Sequence, residues 1–369
     1  MNAYIYTDRY FAFDYGITHP LKIERLKLTF ELSRAYGLFN GSDISLIETV
    51  EAKEDELLIF HTRDYLEVLK QASSGRLRHS YSYGIGPGDN PAFPGLWEWS
   101  LLHTGASIRC AELVLGGGVQ IAFNIAGGLH HAMPDRASGF CYINDPVICI
   151  LKLLKEADRV LYLDIDAHHG DGVQWAFYEE PRVLTISFHQ DGRTLFPGTG
   201  SVEEMGRGRG RGYAINIPML PGTDNRVFLK GFHEIVPEVF ERFRPDVVVT
   251  QLGVDSFKDD PLAGLCLGTE GFLEVIRFLK RNTNYWIALG GGGYNSWNVA
   301  RAWTLAWATM IGVELSDEIP EEICSKLDKM GIRERELKDK EEINTSKDAH
   351  IRYIERVISY IEKEIIPLI

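Results

Sequence analysis

Positive charge, cysteine and long apolar runs are what this chain has little of. Its 39 Lys and Arg stand against 52 Asp and Glu, a net charge of −13. That balance disfavours direct nucleic-acid binding, which needs clustered cations at the phosphates, and is compatible with basic, lysine-bearing substrates. The five cysteines (Cys110, Cys141, Cys149, Cys266 and Cys324) are scattered and include no close pair. They build no disulfide framework, so a reducing cytoplasm is the expected setting. No run approaches the roughly eighteen apolar residues of a membrane span, and no basic-then-apolar signal opens the chain. No internal repeat or low-complexity linker interrupts it. With 369 residues, 45% hydrophobic and 25% charged, the composition is that of an ordinary globular protein.

What is present is alternation. Strand-like apolar runs at 3–6, 119–124, 160–164, 183–188, 214–217, 247–251 and 285–289 are interleaved with helical periodicity. The helical segments fall at 21–36, 61–72, 97–115, 145–156, 172–178, 226–243, 270–280 and 296–310. Strands separated by helices imply βαβ units and an open, mostly parallel sheet with helices on both faces. Chemistry is then expected in the loops at the strand C-termini. The pattern predicts one α/β domain over residues 1–315, followed by a Glu- and Lys-rich helical extension, 316–369, packed on the same domain. Residues 206–212, with Arg207, Arg209 and Arg211, resemble a phosphate-binding patch in composition. Without a strand-to-helix context they read instead as a flexible surface hairpin.

The most informative stretch is Asp164-Ile165-Asp166-Ala167-His168-His169-Gly170-Asp171, at the end of an apolar strand. Side chains repeat every two residues along an extended chain, so Asp164, Asp166 and His168 tend to emerge on one side. Carboxylates and an imidazole converging there form an oxygen-rich divalent-metal site that still needs a ligand. Asp255 ends another apolar strand and stands in the same situation. Asp259 and Asp260, just beyond it, read as turn residues beside Pro261. A second His pair, His130-His131, follows two glycines after the 119–124 strand. With Asp166 and His168 on the metal, Asp164 and Asp171 remain to orient two imidazoles, each fixing one tautomer and raising the basicity of the other ring nitrogen. Four consecutive glycines, Gly290 to Gly293, end the last strand and lead to Tyr294. Such a run makes sense where backbone passes close to a ligand and delivers one phenol to it.

Together these residues resemble the zinc-dependent histone deacetylase superfamily of the class I pattern, within it most the acetoin-utilisation deacetylases of bacteria and archaea. The resemblance runs from about residue 3 to 315. It rests on His19-Pro20 with Arg25, on 61–66 (HTRDYL), 127–145 (GGLHHAMPDRASGFCYIND), 164–173 (DIDAHHGDGV) and 196–200 (FPGTG), and on the 251–255 and 290–294 segments. It implies an arginase/deacetylase-like sheet and hydrolysis of acylated lysine side chains. Zinc would be bound by Asp166, His168 and Asp255, with Fe²⁺ or Co²⁺ as substitutes. His131, paired with Asp171, would be general base and then acid. His130, paired with Asp164, would be its electrostatic partner, and Tyr294 would polarise the scissile carbonyl. Gly139, Phe140 and Phe196 match the acyl-lysine tunnel, with Gly292 placed beside them. Asp89 matches a rim carboxylate that anchors the substrate backbone, and Leu262 an apolar rim position. Asp164, Asp166, His168, Ser187 and Phe188 match a structural potassium site, several through backbone oxygens. The implied partner is an acylated protein or peptide such as an acyl-CoA synthetase, with no nucleic acid or membrane.

Three rivals stand beside that reading. A ureohydrolase needs extra bridging carboxylates for two metals, and Asp255 is followed by Ser256 and Phe257. An acetylpolyamine deacetylase calls for an acidic gatekeeper where Leu262 stands, although Asp259 and Asp260 are near. A non-catalytic acyl-lysine binding module would not need both His131 and Tyr294. Acyl-chain preference and oligomeric state are not encoded in this residue list.

Overall fold

The computed structural model describes residues 1–340 and 343–369. Among them, eight short, apolar and β-branched segments form strands: β1 (Asn2–Tyr6), β2 (Ile44–Glu48), β3 (Ile121–Asn124), β4 (Val160–Asp164), β5 (Val183–Gln190), β6 (Ala214–Met219), β7 (Val247–Gln251) and β8 (Trp286–Leu289). All pair in parallel, in the order β2-β1-β3-β8-β7-β4-β5-β6. Between them run helices α1 (Glu24–Ala35), α2 (Glu54–Leu57), α3 (Arg63–Ser73), α4 (Leu96–Leu115), α5 (Asp145–Leu153), α6 (Asp171–Phe177), α7 (Asn225–Phe243) and α8 (Thr269–Asn282), and α9 (Ser296–Ile311) follows β8.

The two faces of the sheet sort the side chains by alternation. Leu161, Leu163, Val248 and Trp286 share one core with Leu26 of α1, Val236 of α7, Phe272 of α8 and Trp303 of α9. Their neighbours Val160, Tyr162, Val249 and Ile287 share the other with Cys110 of α4, Ile150 of α5 and Val173 of α6. Strands covered on both faces must be apolar throughout, which is why they read as unbroken runs. Each such side chain contributes roughly 1.5–3 kcal/mol by leaving water, and this double burial fixes the strand ends that carry the site.

Beyond residue 316, α10 (Glu321–Lys329) and α11 (Asp348–Tyr360) lie against the same core through Ile323, Leu327, Ile354, Val357 and Ile358. α11 packs against α7 and the edge strand β6. Asp224, the N-cap of α7, accepts the backbone N–H groups of Thr345 (3.1 Å) and Ser346 (2.9 Å). Among the described residues no helix is long and apolar enough to cross a membrane.

Two features depart from the sequence reading. The edge strand β2 is unforeseen, because it is half-exposed and its Leu46 faces solvent, so it lacks the signature of a buried strand. Residues 206–212 are not a hairpin but a turn around Gly208–Gly210. It is tied down by Arg207 N–H to the Tyr178 carbonyl (2.8 Å) and Gly212 N–H to that of Met205 (2.6 Å).

Candidate active site and metal centre

Asn124 of β3, Leu289 of β8, Gln251 of β7 and Asp164 of β4 are register partners in one row across the centre of the sheet. Every side chain singled out for chemistry lies at or just past that row. His130 and His131 follow β3, Asp166, His168 and Asp171 follow β4, Asp255 follows β7, and Tyr294 follows β8. From this centre the strand order steps outward to β1 and β2 on one side and to β5 and β6 on the other. Such a crevice at the carboxyl ends, where the order switches, is where open α/β sheets bind ligands.

Asp166, His168 and Asp255 are buried and bring one ligand atom each to within 4.8 Å of one another. His168 Nδ1 lies 3.1 Å from Asp166 Oδ1 and 3.0 Å from Asp255 Oδ2. Burial disfavours the imidazolium, but the two carboxylates outweigh it and raise His168 to about 10. Burial and the Asp166 charge push Asp255 up to about 7. Asp166 is held well below the usual range: burial opposes this, and the His130 and His168 charges prevail. Two carboxylates this deep call for a compensating cation, and an oxygen–nitrogen–oxygen donor set suits a borderline divalent ion. The backbone fits around that group. A Cβ on Gly292 would overlap Asp255 Oδ2 and crowd Asp166 Oδ2, and Gly292 N–H already donates to Asp166 Oδ2 (2.8 Å).

Asp164 does not join this trio, although strand alternation starts it on the same side. Its Oδ2 meets His130 Nδ1 at 2.7 Å and also accepts the Tyr162 hydroxyl (2.8 Å). Asp171 Oδ1 meets His131 Nδ1 at the same 2.7 Å, and the two Nε2 atoms are 2.9 Å apart. Only one proton fits between those nitrogens. Burial disfavours charge on both rings, but Asp164 and Asp166 raise His130 to about 9. Burial, then the charge on His130, lowers His131 to about 4. His131 is therefore a neutral imidazole whose Nδ1–H is committed to Asp171 and whose Nε2 lone pair accepts the proton that His130 holds between them. It also lies nearer the surface, its ring centroid 5.0 Å from that of the half-exposed Phe196.

Tyr294 shares the wall of one cavity with His130, His131, Gly139, Phe140, Asp166 and Gly292, its ring meeting Phe140 edge-on at 5.6 Å. Its glycine approach is gripped on all sides. Arg25, buried under it, donates to the carbonyls of Gly291 and Gly293 at 2.7 Å each, and Val254 N–H donates to that of Gly292 (2.9 Å). Asn295 then caps α9. Gly139 has φ +52°, and a Cβ there would overlap the His131 ring and crowd Phe196, so the wall closes only with glycine. Asp89 is exposed, its carbonyl bonded to His19 Nε2 (3.1 Å), and Leu262 is half-buried. Ser187 pairs with Asp164 in the β4–β5 register, next to the buried Phe188. Cys141 is buried and donates to the Gly139 carbonyl (3.2 Å), its thiol pushed up by burial, as expected of a packing residue.

Several supporting residues carried no role in the sequence reading. Gln251 donates to Asp166 Oδ2 (2.6 Å). Asn144 donates to the carbonyls of His130 (3.0 Å) and Ala132 (2.9 Å), while Asp145 accepts the N–H groups of Gly128 (3.1 Å) and Leu129 (2.9 Å). Asn144 and Asp145 thereby clamp the tandem histidines from both ends. Asp260 lies in the turn that the sequence indicates, but it is buried, 7% accessible, and its carboxylate accepts Tyr294 N–H (2.7 Å) and Leu262 N–H (3.0 Å). A polar residue at the end of an apolar strand was the available signal for Gln251; for Asp260 there was none.

Sheet order and site chemistry define an arginase/deacetylase-type α/β fold. The sequence model of the histone deacetylase domain matches residues 19–310. The acetoin utilization protein AcuC of Bacillus subtilis (strain 168) is 40% identical over 337 residues, 89% of this chain and 87% of that one. Histone deacetylase B of Dictyostelium discoideum is 41% identical over 309 residues, 83% and 72% of the two chains. A crystal structure of an HDAC homolog from Aquifex aeolicus superimposes with a TM-score of 0.89 at 34% identity, covering 97% of this chain and 100% of that one. This chain belongs to the histone deacetylase family.

Proposed function

We propose that the protein hydrolyses the amide of acylated lysine side chains in proteins or peptides, releasing a carboxylate and free lysine. The observation that carries this reading is one cavity wall that combines His131 paired with Asp171, His130 paired with Asp164 and Tyr294 beside Asp166. Asp166, His168 and Asp255 would hold one divalent ion, zinc in the first instance and Fe²⁺ or Co²⁺ as substitutes, which supplies Lewis-acid activation of the amide and of water. Phe140 and Phe196 pack the four-carbon lysine stem, whose charge acylation has masked, while Asp89 accepts substrate backbone N–H groups at the rim and Leu262 covers its apolar side. His131 Nε2 exchanges the His130 N–H for the attacking water, takes its proton and returns it to the departing lysine nitrogen. Asp171 fixes the tautomer that makes this possible, and His130 holds positive charge beside the developing oxyanion. The Tyr294 hydroxyl donates to that oxyanion, and one such donor is worth roughly 10²–10³ in rate.

The same reading places a structural potassium at Asp164, Asp166, His168, Ser187 and Phe188. It treats residues 316–369 as an extension of the one catalytic domain, and a cytoplasmic acylated enzyme such as an acyl-CoA synthetase as the kind of partner. The test is turnover by the purified protein of acyl-lysine peptides beside acetylspermidine, with a metal count. Cleavage of the peptides at about one tightly held ion per chain is the expected result. Two ions would favour a ureohydrolase, preference for acetylspermidine a polyamine deacetylase, and binding without cleavage a reader.

A further inference from the structure

Tyr294 ends a run of four glycines, the segment least able to hold a side chain in place by its own conformational preference. Its neighbours' carbonyls are held by Arg25 and Val254, but the backbone of the tyrosine itself is held by Asp260. One carboxylate oxygen of Asp260 accepts Tyr294 N–H at 2.7 Å; the other accepts Leu262 N–H at 3.0 Å. The Asp260 backbone is fixed in turn, its N–H donating to the Phe257 carbonyl (3.2 Å) and Phe257 N–H to that of Val254 (3.1 Å). The turn that begins at Asp255, a member of the buried Asp–His–Asp group, therefore ends in a buried carboxylate that grips the phenol-bearing residue. We propose that Asp260 is a positioning residue for Tyr294, setting the phenol relative to the Asp166–His168–Asp255 group and locking the apolar rim at Leu262 to the same point. The inference rests on the reading that Tyr294 donates to the reacting oxygen.

Displacement of a reacting group by about 1 Å costs on the order of 10²-fold in rate, so Asp260→Ala should lower kcat about 10- to 100-fold, with any rise in KM from the loosened Leu262 smaller than the fall in kcat. Asp260→Asn, which keeps one acceptor oxygen, should fall between that variant and wild type. Asp259→Asn is the control, since Asp259 is exposed in a left-handed turn (φ +70°) that asparagine tolerates. The readout that a merely structural role would not move is amide hydrogen exchange on the metal-loaded full chain. In Asp260→Ala, exchange should accelerate across 290–295 and at Leu262 while β4 and β7 keep their protection and the metal content stays at the wild-type value. Unchanged turnover in Asp260→Ala overturns the proposal, and so does a loss accompanied by global exchange or by metal release. Tyr294→Phe is run alongside. If it alone turns over like wild type, the reading of the phenol fails and takes this inference with it. If Tyr294→Phe is impaired and Asp260→Ala is not, only the positioning role falls.

Discussion

Gln251→Leu is the most direct probe of how the buried carboxylates are aimed. The Gln251 side chain is fully buried at the end of β7 and bridges three segments. Its amide nitrogen donates to Asp166 Oδ2 (2.6 Å) and to the Gly128 carbonyl (3.3 Å), while its oxygen accepts Gly253 N–H (2.7 Å). Leucine fills nearly the same space but removes all three bonds. The orphaned Gly253 N–H should cost about 1–3 kcal/mol of stability. Asp166 keeps the Gly292 N–H on the same oxygen, so it remains a ligand but loses the group that fixes its rotation. Outer-shell partners of metal ligands typically carry 10- to 100-fold in affinity, which converts to about 1.4–2.7 kcal/mol. Competition of the purified variant against a calibrated chelator measures that factor directly, and an unfolding curve on the metal-free protein separates it from the stability loss. A variant with unchanged metal affinity would refute the argument that Gln251 aims Asp166, whatever happened to its melting temperature.

Other outcomes follow from the same geometry. His131→Ala should abolish nearly all turnover with the metal retained, and His130→Ala should hurt less; losses reversed in size would exchange the two roles. Tyr294→Phe should fold normally, because its hydroxyl makes no hydrogen bond among the described residues, and should lose about 10²–10³ in kcat with KM little changed, so that an acyl-lysine peptide is trapped uncut. His130 has its folded pKa raised to about 9 against an unfolded value of about 6.5. Its contribution to stability is therefore complete below about 6.5 and is lost as pH rises through about 9. Wild type should lose more stability than His130→Asn over that window in parallel denaturant titrations of the metal-free proteins, and equal losses would remove the charge from His130.

The central strands were legible because burial on both faces makes them apolar up to their carboxyl ends. Val160-Leu161-Tyr162-Leu163 and Val247-Val248-Val249 can be little else, and their ends announce Asp164, Asp166 and Asp255. The edge strand β2 was not legible, since half of Ile44–Glu48 faces water and an edge strand need not be apolar. At the site, the residues alone identified which groups carry chemistry, and only the family resemblance paired His130 with Asp164 and His131 with Asp171, as the structure has them. Asp164 reaches His130 across 34 residues and Asp171 reaches His131 across 40. Neither spacing is a period of any local structure, so from the residues alone two carboxylates were simply available for two imidazoles.

The supporting groups escaped for a different reason. A polar residue becomes informative only when it is known to be buried, and burial is decided by strand order. Gln251 sits in the row with Asp164 because β7 pairs with β4, although the two strands are far apart in sequence. Asp260 beside Pro261 carries the local signature of a turn, and it is in a turn. What distinguishes it is that β7 and β8 are neighbours, so the loop after one closes over the loop after the other. The same adjacency lets Gly292 press against Asp166 and Asp255 at once. Sequence motifs thus name the groups at the ends of β3, β4, β7 and β8, whereas the order β3-β8-β7-β4 determines their distances. A chain with the same motifs and a different strand order would keep the ligands and lose the site.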